Sequence, residues 1–401
     1  MANEKIKTHW NIHRTNGLSG IDTYTNEIAK RLIKYDDLDV SLYVDRSLKK
    51  GCCFGSEYTS NIFDTTLKIS RFPTLLTSFH FGVTSLAKRI SNLFQKLFIP
   101  KFISYNFFAG DYKSDIYMFF ANRIPFQKVH GKIIACIHDV IPLVMDDANG
   151  AEWTKIFRKN VDDITKRSDK IITVSEYSKQ DIIKFTGVDA DKIEIVYSAA
   201  ETERFDPHNA QKSEHERVKL KYNLPDNYIL YVGDCRPRKN VESLVKAYAL
   251  LSNEFKHKYK LVITNPSDSV KNCIRENNLD NNVCFVNKFP EEDKPALFQM
   301  ADLFAWLSFY EGFGTPILEA MASGVPVVCS NRTSMPEVAG DAAIMIDPEN
   351  LKEISNAIEK VLTDENLRAD LISKGYENIK RFSWEKSAQK LHDVIVKVMS
   401  E

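Results

Sequence analysis

Short apolar runs separated by longer amphipathic stretches dominate the pattern of this chain. Residues 116–120, 133–137 and 193–197 in the first half are nearly continuous in apolar side chains. So are 228–232, 259–264, 282–286, 302–307, 325–330 and 342–346 in the second. Runs of this length without strict alternation read as strands buried on both faces. Residues 5–12 form an irregular candidate for a first strand, followed by a helix to about Lys34. Further helices are expected near 269–277, 291–300, 350–362, 364–380 and 383–399, the last with Ser383 as its cap. A strand–helix alternation sustained over most of a chain predicts parallel sheets covered by helices on both faces. At 401 residues the chain has room for two domains of ordinary size. The polar stretch 200–226, with Asp206-Pro207 and Leu224-Pro225, is the expected divide. Residues 1–199 then form one domain, 200–382 a second, and 383–401 a final helix.

One unit of this alternation carries unusual chemistry. After the run 302–307 come Tyr310-Glu311-Gly312-Phe313-Gly314, then Thr315 as a candidate cap, Pro316 at the expected first helical position, and Gly324 closing the helix. The C-terminal end of a strand meeting a helix N-terminus collects anions, because free N–H groups and the positive end of the helix dipole point outward there. Gly312 and Gly314 allow a phosphate to approach the backbone. Glu311 and Glu319 bracket the turn, eight residues apart. A carboxylate beside a diphosphate is repelled by it, so hydroxyls on either side are the better partners: a sugar for Glu311 and a ribose for Glu319. A capped surface helix with two ordinary glutamates has the same local spacing, and the spacing alone does not separate the two readings.

Other strand ends repeat the theme. Asn16 to Tyr24 is a Gly-rich turn containing Gly20. The run 133–137 leads straight into His138-Asp139. In an open α/β sheet such loops line the ligand crevice, where a histidine bonds a sugar hydroxyl, moves a proton or serves only the structure. Gly233-Asp234-Cys235-Arg236-Pro237-Arg238-Lys239-Asn240 places three cations in four residues at a strand-to-helix turn. That is a good diphosphate clamp. A merely solvated basic turn is the weaker account, because the helix dipole disfavours cations there. Ser175 reads as an N-cap with Ser178 at the third helical position, and capping suffices to explain Ser175.

Composition narrows the classes. A net charge of zero argues against a dedicated nucleic-acid binder, and 43% hydrophobic residues describe a globular chain. The seven cysteines are scattered without a paired Cys-x-x-Cys spacing. Cys136, Cys284 and Cys329 fall in apolar runs as expected buried thiols, which fits a reducing cytosol. The sequence shows no signal peptide and no apolar run of 18 residues, so neither secretion nor membrane spanning is expected. No Asp-x-Asp stands beside the phosphate-binding candidates, and Asp36-Asp37, Asp146-Asp147 and Asp162-Asp163 look like solvated faces or turns. Residues 65–110 are different. They hold six basic residues and nine aromatics with no acid, and Leu86, Ile90, Leu93, Phe94, Leu97 and Phe98 share one helical arc. Such a segment reads as an element lying on an anionic membrane surface, or as a core helix with a basic polar face.

The spacing Glu311-x7-Glu319 resembles the Glu-x7-Glu motif of glycosyltransferase family 4, a family of retaining enzymes with the GT-B arrangement. Gly20-Ile21-x-x-Tyr24, His138-Asp139, the segment 169–178, Pro237-Arg238-Lys239-Asn240 and the loop 287–289 resemble other family segments in family order, so the resemblance covers nearly the whole chain. It implies two Rossmann-like domains facing a cleft, with the last helix crossing back onto the first. It implies a nucleotide-sugar donor on the second domain and transfer with retention and no essential metal or other cofactor. By resemblance the catalytic residues are Glu311, His138, Lys239 and Arg238. The donor-binding residues are Gly20, Arg236, Gly312, Phe313, Gly314, Thr315 and Glu319, with Arg236 replacing an arginine that many members carry where Asp234 stands. Similarity to bacterial surface-polysaccharide enzymes implies mannose from GDP-mannose. The implied acceptor is a polyprenyl-diphosphate-linked glycan, and the implied location is cytoplasmic, peripheral on the inner face of the membrane. A GT-B nucleotide-sugar 2-epimerase and a non-catalytic glycan-assembly partner are the rival readings.

Overall fold

The computed structural model describes residues 5–13, 20–45, 114–122, 124, 129–145 and 150–401. The basic aromatic segment 65–110, and with it the expected membrane contact, lies outside the described residues.

The apolar runs form two six-stranded sheets in which every pairing is parallel. The first contains β1 (Ile6–His13), β2 (Leu38–Asp45), β3 (Ile116–Phe119), β4 (Lys132–Cys136), β5 (Lys170–Thr173) and β6 (Ile193–Ile195), in the order β2-β1-β3-β4-β5-β6. The second contains β7 (Tyr228–Tyr231), β8 (Lys260–Thr264), β9 (Val283–Val286), β10 (Leu303–Trp306), β11 (Val327–Ser330) and β12 (Ala343–Ile346), in the order β12-β11-β10-β7-β8-β9. Chain order reverses between β10 and β7, so the loops leaving these two neighbours diverge and open a crevice at their C-terminal ends. Both loops carry the chemistry singled out in the sequence.

Strands β3, β5, β7, β10 and β11 are buried at every position, as continuous apolar runs in a doubly covered sheet should be. The edge strand β9 is not, and Cys284 on it is only half-buried, which corrects the expectation for that thiol. An edge strand lacks a neighbour on one side, so helices cover it less completely.

Several elements were not legible in the pattern. β2 alternates apolar and polar residues along Leu-Asp-Val-Ser-Leu-Tyr-Val-Asp and sits at the opposite sheet edge. The polar stretch expected to divide the domains contains a helix, Lys212–Tyr222, on which Val218 is the buried residue. It has no apolar stripe. Polar groups hold it down instead: the fully buried Asp293 accepts from Lys221 Nζ at 2.7 Å and Tyr222 Oη at 2.5 Å, and from Arg217. After Asn240 the chain forms the helix Val241–Ala249, and Ser252 then caps a separate turn at Asn253–Lys258 through the Phe255 N–H.

The final helix, Trp384–Ser400, lies on the helix Gly20–Leu32 of the first sheet, as the resemblance implied. Ser383 caps it, Arg31 pairs with Glu385 at 2.6 Å, and Ser387 Oγ donates to the Tyr197 carbonyl at 2.7 Å. Among the described residues no helix is long and apolar enough to cross a membrane.

Candidate active site

The loop leaving β10 is fixed from several sides before any ligand is considered. Thr333 Oγ1 accepts from the Glu311 N–H at 3.2 Å, and Ser334 Oγ donates to the carbonyls of Glu311 and Phe313 at 3.0 and 2.9 Å. The Phe309 N–H donates to the Arg238 carbonyl at 2.8 Å, and Arg238 Nη1 donates to the Tyr310 carbonyl at 3.0 Å. The turn after β7 is fixed in the same way. Pro237–Lys239 is a 3-10 turn, and Asn240, at φ 56°, donates through Nδ2 to the carbonyls of Leu307 and Pro348 at 3.1 and 2.8 Å. Asparagine tolerates this left-handed conformation better than most residues.

The two loops bring Glu311, Lys239 and Arg238 together. The Glu311 carboxylate is 7% exposed and accepts from Lys239 Nζ at 2.6 Å, Arg238 Nη1 at 3.1 Å and Ser308 Oγ at 2.6 Å. Burial alone would raise its pKa, but the charges of Lys239 and Arg238 outweigh it and hold the carboxyl below its ordinary value. Lys239 sits 4.4 Å from the centroid of the Trp306 ring. Burial lowers its pKa, with Glu311 opposing that shift and Arg238 adding to it. The cluster is a carboxylate with two cations, so its formal charge is positive and an incoming anion is favoured.

The helix Thr315–Ala322 starts beside this cluster. Thr315 is not its cap, contrary to expectation: Gly314, at φ 102°, occupies the cap position and Thr315 is the first helical residue, which places Pro316 second. Glycine adopts that conformation without strain, so no capping side chain is needed to turn the chain. The Thr315 hydroxyl instead lies 3.4 Å from Ser198 Oγ in the other half of the molecule. Phe313 turns its ring into the core, with ring centroids 6.2 Å from Tyr197 and 5.5 Å from Phe382. Glu319 is buried one turn inside the helix. Its Oε1 accepts from Lys294 Nζ at 2.7 Å, and its Oε2 has no partner among the described residues.

Arg236 stands apart from the cluster. It is half-exposed and lies 3.1 Å from Asp234 on the same turn. Gly20 is the first residue of the helix Gly20–Leu32, where an added Cβ would meet nothing within 4 Å among the described residues.

The first sheet supplies a different wall. His138 follows β4 and is buried, edge-on to Tyr24 at 5.1 Å. Burial lowers its pKa to about 4. Its Nε2 lies 3.3 Å from the Phe120 carbonyl, which only accepts, so a neutral ring carries its proton on Nε2 and leaves Nδ1 as an acceptor. Asp139 Oδ1 accepts from the Ile141 N–H at 3.1 Å and so orients the loop. An added Cβ on Gly312 would stand 3.0 Å from Asp139 and 3.3 Å from the His138 carbonyl, so at Gly312 the two walls touch.

Sequence reasoning missed what three serines do here. Ser308 completes the Glu311 shell. Ser175 and Ser178 both donate across the cleft to the Gly312 carbonyl, at 2.7 and 3.1 Å, while Ser175 also accepts from the Ser178 N–H as an ordinary cap. Capping explained Ser175 well enough to hide its second bond. Among the described residues no group of three or more His, Cys, Asp and Glu is placed to hold a metal ion.

Comparison with known proteins agrees with this layout. Residues 18–204 match the family described as Glycosyltransferase Family 4, and residues 212–378 match Glycosyl transferases group 1. The chain is 34% identical over 259 residues to O-antigen chain mannosyltransferase B of Escherichia coli, covering 63% of this chain and 67% of that protein. It is 32% identical over 294 residues to the serotype-specific mannosyltransferase WbdA of Escherichia coli, covering 71% of this chain but 35% of WbdA. The chain therefore spans about a third of that longer relative. Among solved structures, Anabaena HepE in complex with UDP and glucose superposes with a TM-score of 0.69 at 16% identity, covering 98% of this chain and 100% of that one. WaaG, a glycosyltransferase involved in lipopolysaccharide biosynthesis, gives 0.66 at 16%, covering 97% and 99%. With two parallel sheets facing a cleft, family matches over both halves and a relative 34% identical across two thirds of its length, this chain belongs to glycosyltransferase family 4.

Proposed function

We propose that this glycosyltransferase moves mannose from GDP-mannose to a polyprenyl-diphosphate-linked glycan, with retention and without an essential metal, in the synthesis of a surface polysaccharide such as O-antigen or capsule. One observation carries the reading: a buried carboxylate, Glu311, held between two cations at the start of a helix. The donor diphosphate replaces Glu311 as partner of part of the Lys239 and Arg238 charge, and the N–H groups around Gly312, Gly314 and Thr315 take further oxygens. Glu311 then holds sugar hydroxyls beside the anomeric carbon. As the anomeric C–O bond breaks, its electron pair passes to the phosphate oxygen, where Lys239 and Arg238 neutralise the growing charge. The acceptor hydroxyl forms the new bond on the same face of the ring and gives its proton to that phosphate oxygen. His138, neutral at working pH, accepts from a sugar hydroxyl, and Glu319 accepts from a ribose hydroxyl.

The names of the relatives support mannose, since O-antigen chain mannosyltransferase B and WbdA are both mannosyltransferases. Two cations beside the leaving phosphate provide the charge stabilisation that a divalent ion gives elsewhere, which supports metal independence. Action at the inner face of the cytoplasmic membrane follows from a lipid-linked acceptor. Arg236 and Gly20 belong to the proposed donor site as outer contacts.

A panel of nucleotide sugars tested by thermal shift addresses the reading directly. GDP-mannose should raise the melting temperature most, as a ligand of the folded state does. Transfer should give the α-linked product by NMR and survive chelator. Conversion of a UDP-N-acetylhexosamine with no acceptor present would replace the transferase reading with an epimerase.

A further inference from the structure

We infer that the helix Glu176–Thr186 of the first sheet positions Glu311, so that closure of the cleft and placement of the catalytic carboxylate are one event. The inference rests on the role proposed above for Glu311.

The N-terminus of this helix faces the opposite domain, and its donors are satisfied there. Ser175 Oγ and Ser178 Oγ converge on the Gly312 carbonyl at 2.7 and 3.1 Å. The N–H groups of Glu176 and Tyr177 donate to the two oxygens of Glu337 at 2.9 and 3.3 Å. Deeper in the helix, Asp181 accepts from Tyr310 Oη, and Tyr177 meets the Tyr310 ring edge-on at 5.8 Å. Residues 310 and 312, which flank Glu311, are therefore gripped from the other domain, while Glu311 itself is held by Thr333 and Ser334 of its own. Ser175 and Ser178 are fully buried, so these are dry contacts whose geometry is narrow. A helix N-terminus carries about half a positive charge, and a carboxylate brought to it from another domain closes the contact as a cap would. Gly312 fits because its other face has no room for a side chain against Asp139.

When the cleft opens, water takes over these groups and the 310–312 segment loses its outer anchors. When it closes, the carbonyl of Gly312 is drawn into the serine pair and Glu311 is set between Lys239, Arg238 and Ser308. Ser175, Ser178 and Glu337 are positioning residues: each acts on the sugar only through the loop.

Ser178→Ala tests this cleanly, because the helix cap, made by Ser175 Oγ and the Ser178 N–H, is untouched. With the nucleotide sugar that stabilises the protein most, kcat should fall about tenfold, the rate equivalent of one hydrogen bond. The donor Kd should stay within about twofold, since the proposed diphosphate and ribose partners, Lys239, Arg238 and Glu319, sit on the other wall and make no hydrogen bond to Ser178. Glu337→Gln should show the same split, and Ser178→Ala combined with Tyr310→Phe should lose less than the product of the single losses, because both act on one segment. A wild-type kcat in Ser178→Ala, a donor Kd that worsens in step with kcat, or strictly multiplicative losses would each overturn the coupling. Glu311→Ala run alongside separates the two claims. If that variant stays active the role of Glu311 fails; if it is inactive while Ser178→Ala is normal, only the coupling fails.

Discussion

The two walls of the cleft are built from opposite materials. The wall on the second sheet concentrates charge: Lys239 and Arg238 each within hydrogen-bonding distance of Glu311, with Lys294 and Glu319 paired nearby. The wall on the first sheet offers a neutral imidazole held at a pKa of about 4 by burial, and serine hydroxyls that donate to a carbonyl. Both walls follow the same architectural rule, functional loops at the C-terminal ends of parallel strands. The difference teaches where charge is useful. A diphosphate needs cations that are already desolvated and fixed, and with the cleft closed Glu311 holds both in place. On the first wall the carboxylates Asp139 and Asp181 are taken up by the Ile141 N–H and Tyr310 Oη, which leaves uncharged groups for a sugar and its acceptor.

The contrast breaks most completely if the charged wall is dismantled. Glu311→Ala or Lys239→Ala should lower transfer by about 10²-fold or more in steady-state kinetics. Lys239→Ala should also lower the melting temperature, because breaking a buried pair costs about 3–5 kcal/mol, with Arg238 left to soften the loss. Circular dichroism should show both variants folded, and near-normal turnover in either would remove the proposed roles. Forcing the walls apart comes next. Gly312→Ala places a Cβ 3.0 Å from Asp139, so transfer should drop about tenfold or more while donor binding by calorimetry persists.

The neutral wall makes a pH prediction. His138 titrates near 4 in the folded protein and near 6.5 unfolded. Between these values the unfolded chain binds more protons, so stability rises with pH from about 4 to about 6.5 and this contribution is flat above. The depressed pKa of Glu311 adds a slope of the same sign, but only below its ordinary carboxyl value. Urea midpoints from pH 5 to 7 should therefore rise in the wild type and stay flatter in His138→Asn. An equal slope in both would mean that the imidazole is not the group responsible. The smallest effect is expected at the margin: Arg236→Ala, whose ion pair with Asp234 is half-exposed, should change turnover by less than about threefold. A loss as large as that of Lys239→Ala would move the boundary of the charged wall outward.

Much of this layout was legible before the structure. Continuous apolar runs gave most strands, and glycines next to cations and acids marked the loops at their ends. What escaped detection did so for physical reasons. The helix Lys212–Tyr222 is held by polar groups around Asp293 rather than by an apolar stripe, so periodicity could not see it. Gly314 turns the chain by its own backbone, so the expectation that Thr315 would cap the helix failed. Phe313, one residue away from glycines that face the site, points into the core, because a loop without period gives no rule for side-chain direction.

The chain alone determined that there would be parallel sheets, and which short segments at their strand ends would carry charge, since burial, backbone freedom and ionisation are local properties of residues. Only the folded molecule decided which of those segments meet. Arg238 and Lys239 reach Glu311 across 73 and 72 positions, and Ser175 reaches Gly312 across 137. Contacts at such separations depend on strand order and on two sheets facing each other, and no periodicity within a segment encodes either.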